Sequence, residues 1–421
     1  MHLLLWAEDS AAELRGELTS AFAEHTVDKA TKLEERKSEE LLGELRLSPS
    51  RPQPHHPAFI EADFGIVVGQ RLPDLVFTRQ LLPDARPVRA DSIRAWAVTL
   101  FEAITAALPE DQAWGLHIEP HYQAPAAHRI GARAWHSVKR GWRVEGRGSG
   151  SESETAETRR PEAEAGRHRC RLIREGLVEL LQRKRRHLLR HLRRDPAAFT
   201  AQHSLVQLLL TSPEAGFLSV ARAPLPFEQR HLISPFPKGE VPVAADKSAP
   251  SRAFAKLVEA ERRLGRAIKA GETCVDLGAA PGSWTYVAVN RGARVVAVDR
   301  APLREDLMRS RQVEFESGDA FRYRPARPVD WLLCDVIAAP ARTAALLLEW
   351  LRRGWCRHFV VTVKLGDQAR ATPSFGSEAL AKLKGELPTL TQELWLTRLC
   401  ANKKEVCAFG SANKLTGHAS V

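Results

Sequence analysis

The sequence predicts an α/β protein. Its C-terminal part reads as a doubly wound, mostly parallel, Rossmann-like sheet, and a mixed α/β region precedes it. Three observations carry this. From about Ser251 short apolar runs alternate with amphipathic helical patterns, the mark of strand–helix–strand units. The stretch "CVDLGAAPGSWTYVAVNRGARVVAVDR", Cys274 to Arg300, joins two apolar runs, each ending in an acid, through a small-residue loop and a helical pattern. A Pro-rich stretch, "LPFEQRHLISPFPKGEVPVAADKSAPSR", separates this half from the one before it.

The 421 residues suffice for two or three domains. No apolar run approaches the ~20 residues needed to span a bilayer. The start "MHLLLWAEDS" is apolar but turns acidic at once, without a basic region or small-residue cleavage site. A cytoplasmic protein with no membrane partner is expected. Cys170, Cys274, Cys334, Cys356, Cys400 and Cys407 form no CxxC pair and no zinc spacing, so they read as small buried hydrophobes and no metal is expected. The net charge of +11 points to a polyanionic partner.

Residues 1–143 read as mixed α/β. "FGIVVG" and "LPDLVFTRQL" read as strands, and "DSIRAWAVTLFEAITAAL" as a helix capped by Asp91 or Ser92. Residues 144–168, poor in apolar side chains and rich in Gly, Ser, Glu and Arg, are expected to be a disordered linker or insertion. Residues 169–235 then form a basic part. "CRLIREGLVELLQRKRRHLLRHLRRD" is one helix with a dense basic face, and "HSLVQLLLTSPEAGFLSVAR" is strand, turn, strand. The Arg183–Arg194 stripe could contact phosphates without reading sequence; as a solvated helix face it needs no partner.

Residues 246–412 form the last domain. Its strands are "TCVDLG", "RVVAVD", "WLLCDV", "HFVVTVKL", "QELWLTRL" and "EVCAFGS". Its helices are "SRAFAKLVEAERRLG", "SWTYVAVNRG", "ARTAALLLEWLRRG" and "SEALAKLKGEL". In such sheets ligands bind beyond the carboxyl ends of the strands, near the switch point. "DLGAAPGSW" lies there, following Asp276. Gly278 and Gly282 let backbone approach a ligand. Asp299 ends the next strand, placed to accept from ribose hydroxyls. Asp319, at the end of a third strand, is placed to accept from an adenine amino group. The loop lacks the GxGxxG spacing of a dinucleotide site. A ligand with ribose and adenine but no phosphate, S-adenosyl-L-methionine, suits it better.

Four residues bear on the reaction: Lys256, Asp335, Lys364 and Glu405. Methylating a ribose 2′-hydroxyl needs a base and a methyl donor held in line. A desolvated lysine beside another cation has a lowered pKa and can be that base. Asp335 and Glu405 pull the other way while fixing its direction, so Lys364 is either the base or an orienting group.

"PSRAFAKL…DLGAAPGSWTY…VDRAPL…GDAF…CDV…VKL…KKEV" resembles the FtsJ-like RNA ribose 2′-O-methyltransferases, and more closely the large-subunit ribosomal RNA ribose methyltransferase M family. The resemblance covers about residues 245–410. It implies a Lys–Asp–Lys–Glu tetrad of Lys256, Asp335, Lys364 and Glu405. It also implies S-adenosyl-L-methionine contacts at Ala253, Asp276, Gly278, Ala280, Pro281, Gly282, Ser283, Trp284, Asp299, Asp319 and Asp335. The implied substrate is a cytidine ribose in the 23S ribosomal RNA of a protein-poor precursor, and a monomer is expected. An N-terminal RNA-binding region with ferredoxin-like and THUMP-like portions is implied too.

This chain departs from the family at four places. "APGSW" replaces CPGGW, so Ser283 narrows the methionine end of the site. Ala253 stands where the family often has serine, "VKLGD" replaces LKLP, and 144–168 looks inserted. Two other readings stay open. One is a catalytically silent RNA-binding or ribosome-assembly factor on the same fold. The other is a nicotinamide-dependent oxidoreductase, against which the loop spacing argues.

Overall fold

The computed structural model describes residues 3–6, 13–14, 17, 75–121, 154–226, 229, 231–365, 374–401 and 404–413. In chain order the strands are β1 (Leu3–Trp6), β2 (Thr78–Leu82), β3 (Arg86–Arg89), β4 (Trp114–Pro120), β5 (Ser204–Leu210), β6 (Ala215–Ala221), β7 (Thr273–Leu277), β8 (Arg294–Asp299), β9 (Val313–Ser317), β10 (Val329–Cys334), β11 (Cys356–Lys364), β12 (Thr391–Thr397) and β13 (Glu405–Ala412). The helices are α1 (Ile93–Ala107), α2 (Glu154–Lys184), α3 (Arg186–Arg190), α4 (Phe254–Leu264), α5 (Ser283–Asn290), α6 (Glu305–Met308), α7 (Pro340–Arg352) and α8 (Ser374–Leu390).

The chain forms two compact units. One holds Leu81–Lys238, and the other holds Gly239–Val421 together with N-terminal segments that include Gln70–Gln80. The first contains a four-stranded sheet of order β3-β6-β5-β4, in which β4 and β5 run parallel and the other pairs antiparallel. Ser92 caps α1 by accepting from the Ala95 N–H (3.1 Å). Its buried stripe of Trp96, Leu100 and Ile104 meets Ile173, Leu177 and Leu181 of α2 over the sheet.

Three expectations need correction here. The division into 1–143 and 169–235 fails because β3 and β4 share one sheet with β5 and β6. The apolar faces of both segments are needed to close one core. Residues 75–80 group with the other unit, where the Val76 carbonyl accepts from the Arg398 N–H (3.0 Å). The disordered linker is also overturned for residues 154–168, which are the first turns of α2. Their Ala, Glu and Arg are poor core formers but good helix formers, and they extend a helix whose later turns are packed. Residues 144–153 lie outside the described residues, as does "FGIVVG".

The basic helix is broken as well. α2 ends at Lys184 and α3 starts at Arg186, with non-helical φ/ψ at Arg185 between them. Leu188 is buried, and its carbonyl accepts from the Trp114 indole N–H (2.8 Å). Arg183, Arg185, Arg186 and Arg190 are exposed.

The second unit is built on a seven-stranded sheet of order β12-β13-β11-β10-β7-β8-β9. All neighbours are parallel except β13, which runs antiparallel between β11 and β12. "VVAV", "WLLC" and "FVVTV" are continuous apolar runs because helices cover both faces of a parallel sheet. The core includes Trp331, Phe409, Leu257, Ala288 and Val360. The chain steps outward from β7 to β8 and β9, then returns to place β10 on the other side of β7. That reversal is the switch point, and it opens a cleft at the carboxyl edge. Among the described residues no helix is long and apolar enough to cross a membrane.

Candidate active site

The loop between β7 and α5 is shaped by two glycines at positive φ. Gly278 has φ 73° and Gly282 φ 104°. A Cβ on Gly278 would stand 2.9 Å from Val336, and one on Gly282 would stand 2.4 Å from Leu307 Cδ1. The loop is thus pressed against the segment after β10 on one side and against α6 on the other. Asp299 ties it down: its Oδ2 accepts from the Ala280 N–H (3.0 Å) and its Oδ1 from the Ala301 N–H (2.9 Å).

Gly278, Asp299, Gly318, Asp319, Val336 and Ile337 help wall a cleft of about 220 Å³. Gly318 has nothing within 4 Å of where a Cβ would stand, so the wall is open there. The Ile337 side chain is almost fully exposed at the rim. Asp319 Oδ1 accepts from the Phe321 N–H (3.0 Å), and its Oδ2 faces Arg342 (3.3 Å) and Arg300 (3.4 Å). That N–H and those cations hold its carboxyl below the ordinary aspartate value. The Arg342 guanidinium lies 3.8 Å over the Phe321 ring.

Not every expected contact residue lines this cleft. Asp276 is buried beneath the loop, where its Oδ2 accepts from the Thr285 hydroxyl (2.6 Å). Burial pushes its carboxyl up to about 7 despite that bond. Ser283 is buried and exchanges a hydrogen bond with Ser251 (2.7 Å). The Trp284 indole N–H donates to the Ala253 carbonyl (2.9 Å). Ala253, Asp276, Ser283 and Trp284 therefore brace the loop from behind. Ala280, Pro281 and Gly282 form its crest. Arg300, Phe321, Ile337 and Arg342 went unnoticed in the sequence, since no spacing marks them and only the fold brings them to the cleft.

Next to the cleft the four residues singled out for chemistry form a closed ring. Lys256 comes from α4, Asp335 follows β10, Lys364 ends β11 and Glu405 begins β13. Lys256 Nζ lies 3.0 Å from Asp335 Oδ2 and 2.5 Å from Glu405 Oε1. Lys364 Nζ lies 2.6 Å from Asp335 Oδ1 and also pairs with Glu405 Oε2. Ammonium and carboxylate alternate around the ring, and all four side chains are largely buried. The register makes Lys364 and Glu405 directly opposite partners across β11 and β13. Asp335 belongs to the ring, while Val336 and Ile337 just after it wall the cleft.

The balance of effects on Lys364, left open by the sequence, falls on the side of the carboxylates. Burial does disfavour its ammonium, but Asp335 and Glu405 outweigh it and hold the group above the ordinary lysine value. A neighbouring cation cannot win when two carboxylates lie closer. For Glu405 too, burial is outweighed, here by the two lysines, and its carboxyl titrates below the ordinary glutamate value.

A switch-point cleft with two acids on its wall and a buried charged ring beside it thus sits at the carboxyl edge of a Rossmann-like sheet. Comparison bears on the same region: residues 249–363 match the family described as FtsJ-like methyltransferase. The chain is 42% identical over 160 residues to the ribosomal RNA large subunit methyltransferase M of Thauera aminoaromatica, covering 37% of this chain and 44% of that protein. The protein of the same name from Stutzerimonas stutzeri (strain A1501) is 46% identical over 141 residues, covering 32% of this chain and 40% of that one. The chain thus spans less than half the length of these curated relatives. Among solved structures, Aeropyrum pernix fibrillarin with natively bound S-adenosyl-L-methionine aligns over 49% of this chain and 82% of its own, at 14% identity and a TM-score of 0.27.

Proposed function

We propose that this protein is an S-adenosyl-L-methionine-dependent ribose 2′-O-methyltransferase acting on large-subunit (23S) ribosomal RNA, at a cytidine. The observation that carries the proposal is the closed Lys256–Asp335–Lys364–Glu405 ring beside the cleft. The cleft suits the cofactor's nucleoside. Asp299 keeps lone pairs for ribose hydroxyls beyond its two backbone bonds, and Asp319 offers an acceptor for an amino group. The open wall at Gly318 leaves room. When bound, the cofactor supplies an electrophilic methyl group on a sulfonium centre.

The ring does the remaining work. Lys364 would meet the ribose 2′-hydroxyl, and its neutral amine would take the proton released as that oxygen gains the methyl group, the donor's carbon–sulfur bond breaking to leave a neutral thioether. Lys364 must first give its own proton to solvent, because Asp335 and Glu405 keep it charged at rest. Those carboxylates aim the amine, and Lys256 balances their charge. The exposed Arg183, Arg185, Arg186 and Arg190 lie in the unit that would engage RNA phosphates. Such a ferredoxin-like and THUMP-like region, a protein-poor precursor as substrate, monomeric action and a cytoplasmic location complete the reading.

The test is to map ribose methylation in RNA from cells with and without the gene, and to follow labelled methyl transfer by the purified protein. Loss of one 2′-O-methyl mark from 23S RNA supports the reading. An unchanged RNA, with RNA binding intact, would leave the silent assembly factor in its place.

A further inference from the structure

Glu259 lies one turn beyond Lys256 on α4 and is fully buried, yet nothing in the reaction uses it. All its acceptor capacity is spent on one corner of the domain. Oε1 takes two N–H bonds from Arg263, at Nε (2.9 Å) and Nη2 (2.8 Å), and a third from the Cys400 backbone N–H (3.0 Å). Oε2 takes the Ala401 backbone N–H (3.3 Å). Arg263 Nη2 also donates to the Gly239 carbonyl (2.7 Å). Cys400 and Ala401 belong to the connection from β12 to β13, and β13 begins with Glu405.

We propose that Glu259 is a positioning residue for the ring: it pins the connection that leads into Glu405 to the same helix that carries Lys256. This rests on the function proposed above. The Lys256–Glu405 contact joins a helix early in the domain to a late strand, and the sheet ladder does not fix that distance. β13 is registered against β11, which carries Lys364, whereas α4 lies off the sheet. A buried carboxylate is costly compared with apolar packing, so packing alone would not select it. What it supplies is direction: two backbone N–H groups are held at set angles to α4 through one rigid carboxylate. A shift of about 1 Å in a reacting group can cost on the order of a hundredfold in rate.

The test uses the full chain with Glu259→Gln, which keeps the volume and one carbonyl acceptor, and with Arg263→Lys, which keeps the charge but gives up the fork. Each variant is measured well below its melting temperature. The expected result is a fall of about tenfold or more in the single-turnover rate, with cofactor affinity within about twofold of wild type. A ¹⁵N NMR titration of the lysine ammonium groups should move in both variants, which a purely structural role would not require. Unchanged rate and unchanged lysine titration in the folded variants overturn the proposal. If Glu259→Gln does not fold, Arg263→Lys decides alone. If the wild-type protein transfers no methyl group, the reading of function fails, and the lysine titration by itself upholds or overturns the positioning role.

Discussion

Methyl transfer by this protein should quicken with rising pH, and Glu405→Gln should move that rise to lower pH. An ordinary lysine titrates near ~10.4, so at pH 7.5 only about one amine in a thousand is neutral. Lys364 is held above that value by Asp335 and Glu405. If its neutral form takes the 2′-hydroxyl proton, the single-turnover rate climbs about tenfold per pH unit from pH 6 to 9. Removing the Glu405 charge deletes one charge-assisted hydrogen bond to the ammonium, a contribution of about 1.5–3 kcal/mol. At ~1.36 kcal/mol per unit, the rise shifts down by about 1–2 pH units.

The fold tolerates this window. The raised Lys364 pKa adds stability below its unfolded value near ~10.4, and that is lost only as pH climbs through the folded value. The lowered Glu405 pKa adds stability above its unfolded value near ~4.3, lost as pH falls through the folded one. The assay is rapid-quench transfer of labelled methyl to large-subunit RNA, with circular dichroism at each pH. A wild-type plateau already present at pH 7, or a profile that Glu405→Gln leaves in place, refutes the reasoning. Lys364→Arg separates base from anchor, since arginine keeps the charge but is a poor base; near-normal turnover in that variant makes Lys364 an electrostatic anchor.

Asp299→Ala should weaken S-adenosyl-L-methionine binding by about 1.5–3 kcal/mol in calorimetric titration. Since Asp299 also holds the Ala280 and Ala301 N–H groups, hydrogen exchange of the loop should rise too. Gly282→Ala combines a positive φ with a Cβ 2.4 Å from Leu307 Cδ1, so thermal melts should show a loss of about 1–3 kcal/mol; a wild-type melt would mean that α6 yields at little cost. Neutralising Arg183, Arg185, Arg186 and Arg190 together should weaken RNA binding and flatten its salt dependence, and an unchanged salt slope would mark the stripe as a solvated surface.

The C-terminal unit was legible because its signals are local. Apolar runs ending in Asp299 or Lys364, and a glycine loop after Asp276, state both the fold and the edge where ligands gather. The strand Val313–Ser317 was legible only through the acid beyond it, since "VEFES" at the sheet edge has no continuous apolar run. Long-range pairing was not legible. Nothing near Arg86 or Trp114 says that their strands join those at Ser204 and Ala215. Low apolar content at 154–168 was misread because composition reports the lack of a core, whereas helix formation there depends on propensity and a packed continuation. The sign of the Lys364 shift was hidden because it turns on distances of a few ångströms among residues far apart in sequence.

The antiparallel seating of β13 between β11 and β12 sets an order of events during synthesis. Lys256, Asp335 and Lys364 all leave the ribosome before Glu405 does, and the cleft walls from Gly278 to Arg342 are complete earlier still. A chain that ends after β12 lacks Glu405, so its ring cannot close. The strand that completes the sheet between β11 and β12 is therefore also the one that completes the charged ring.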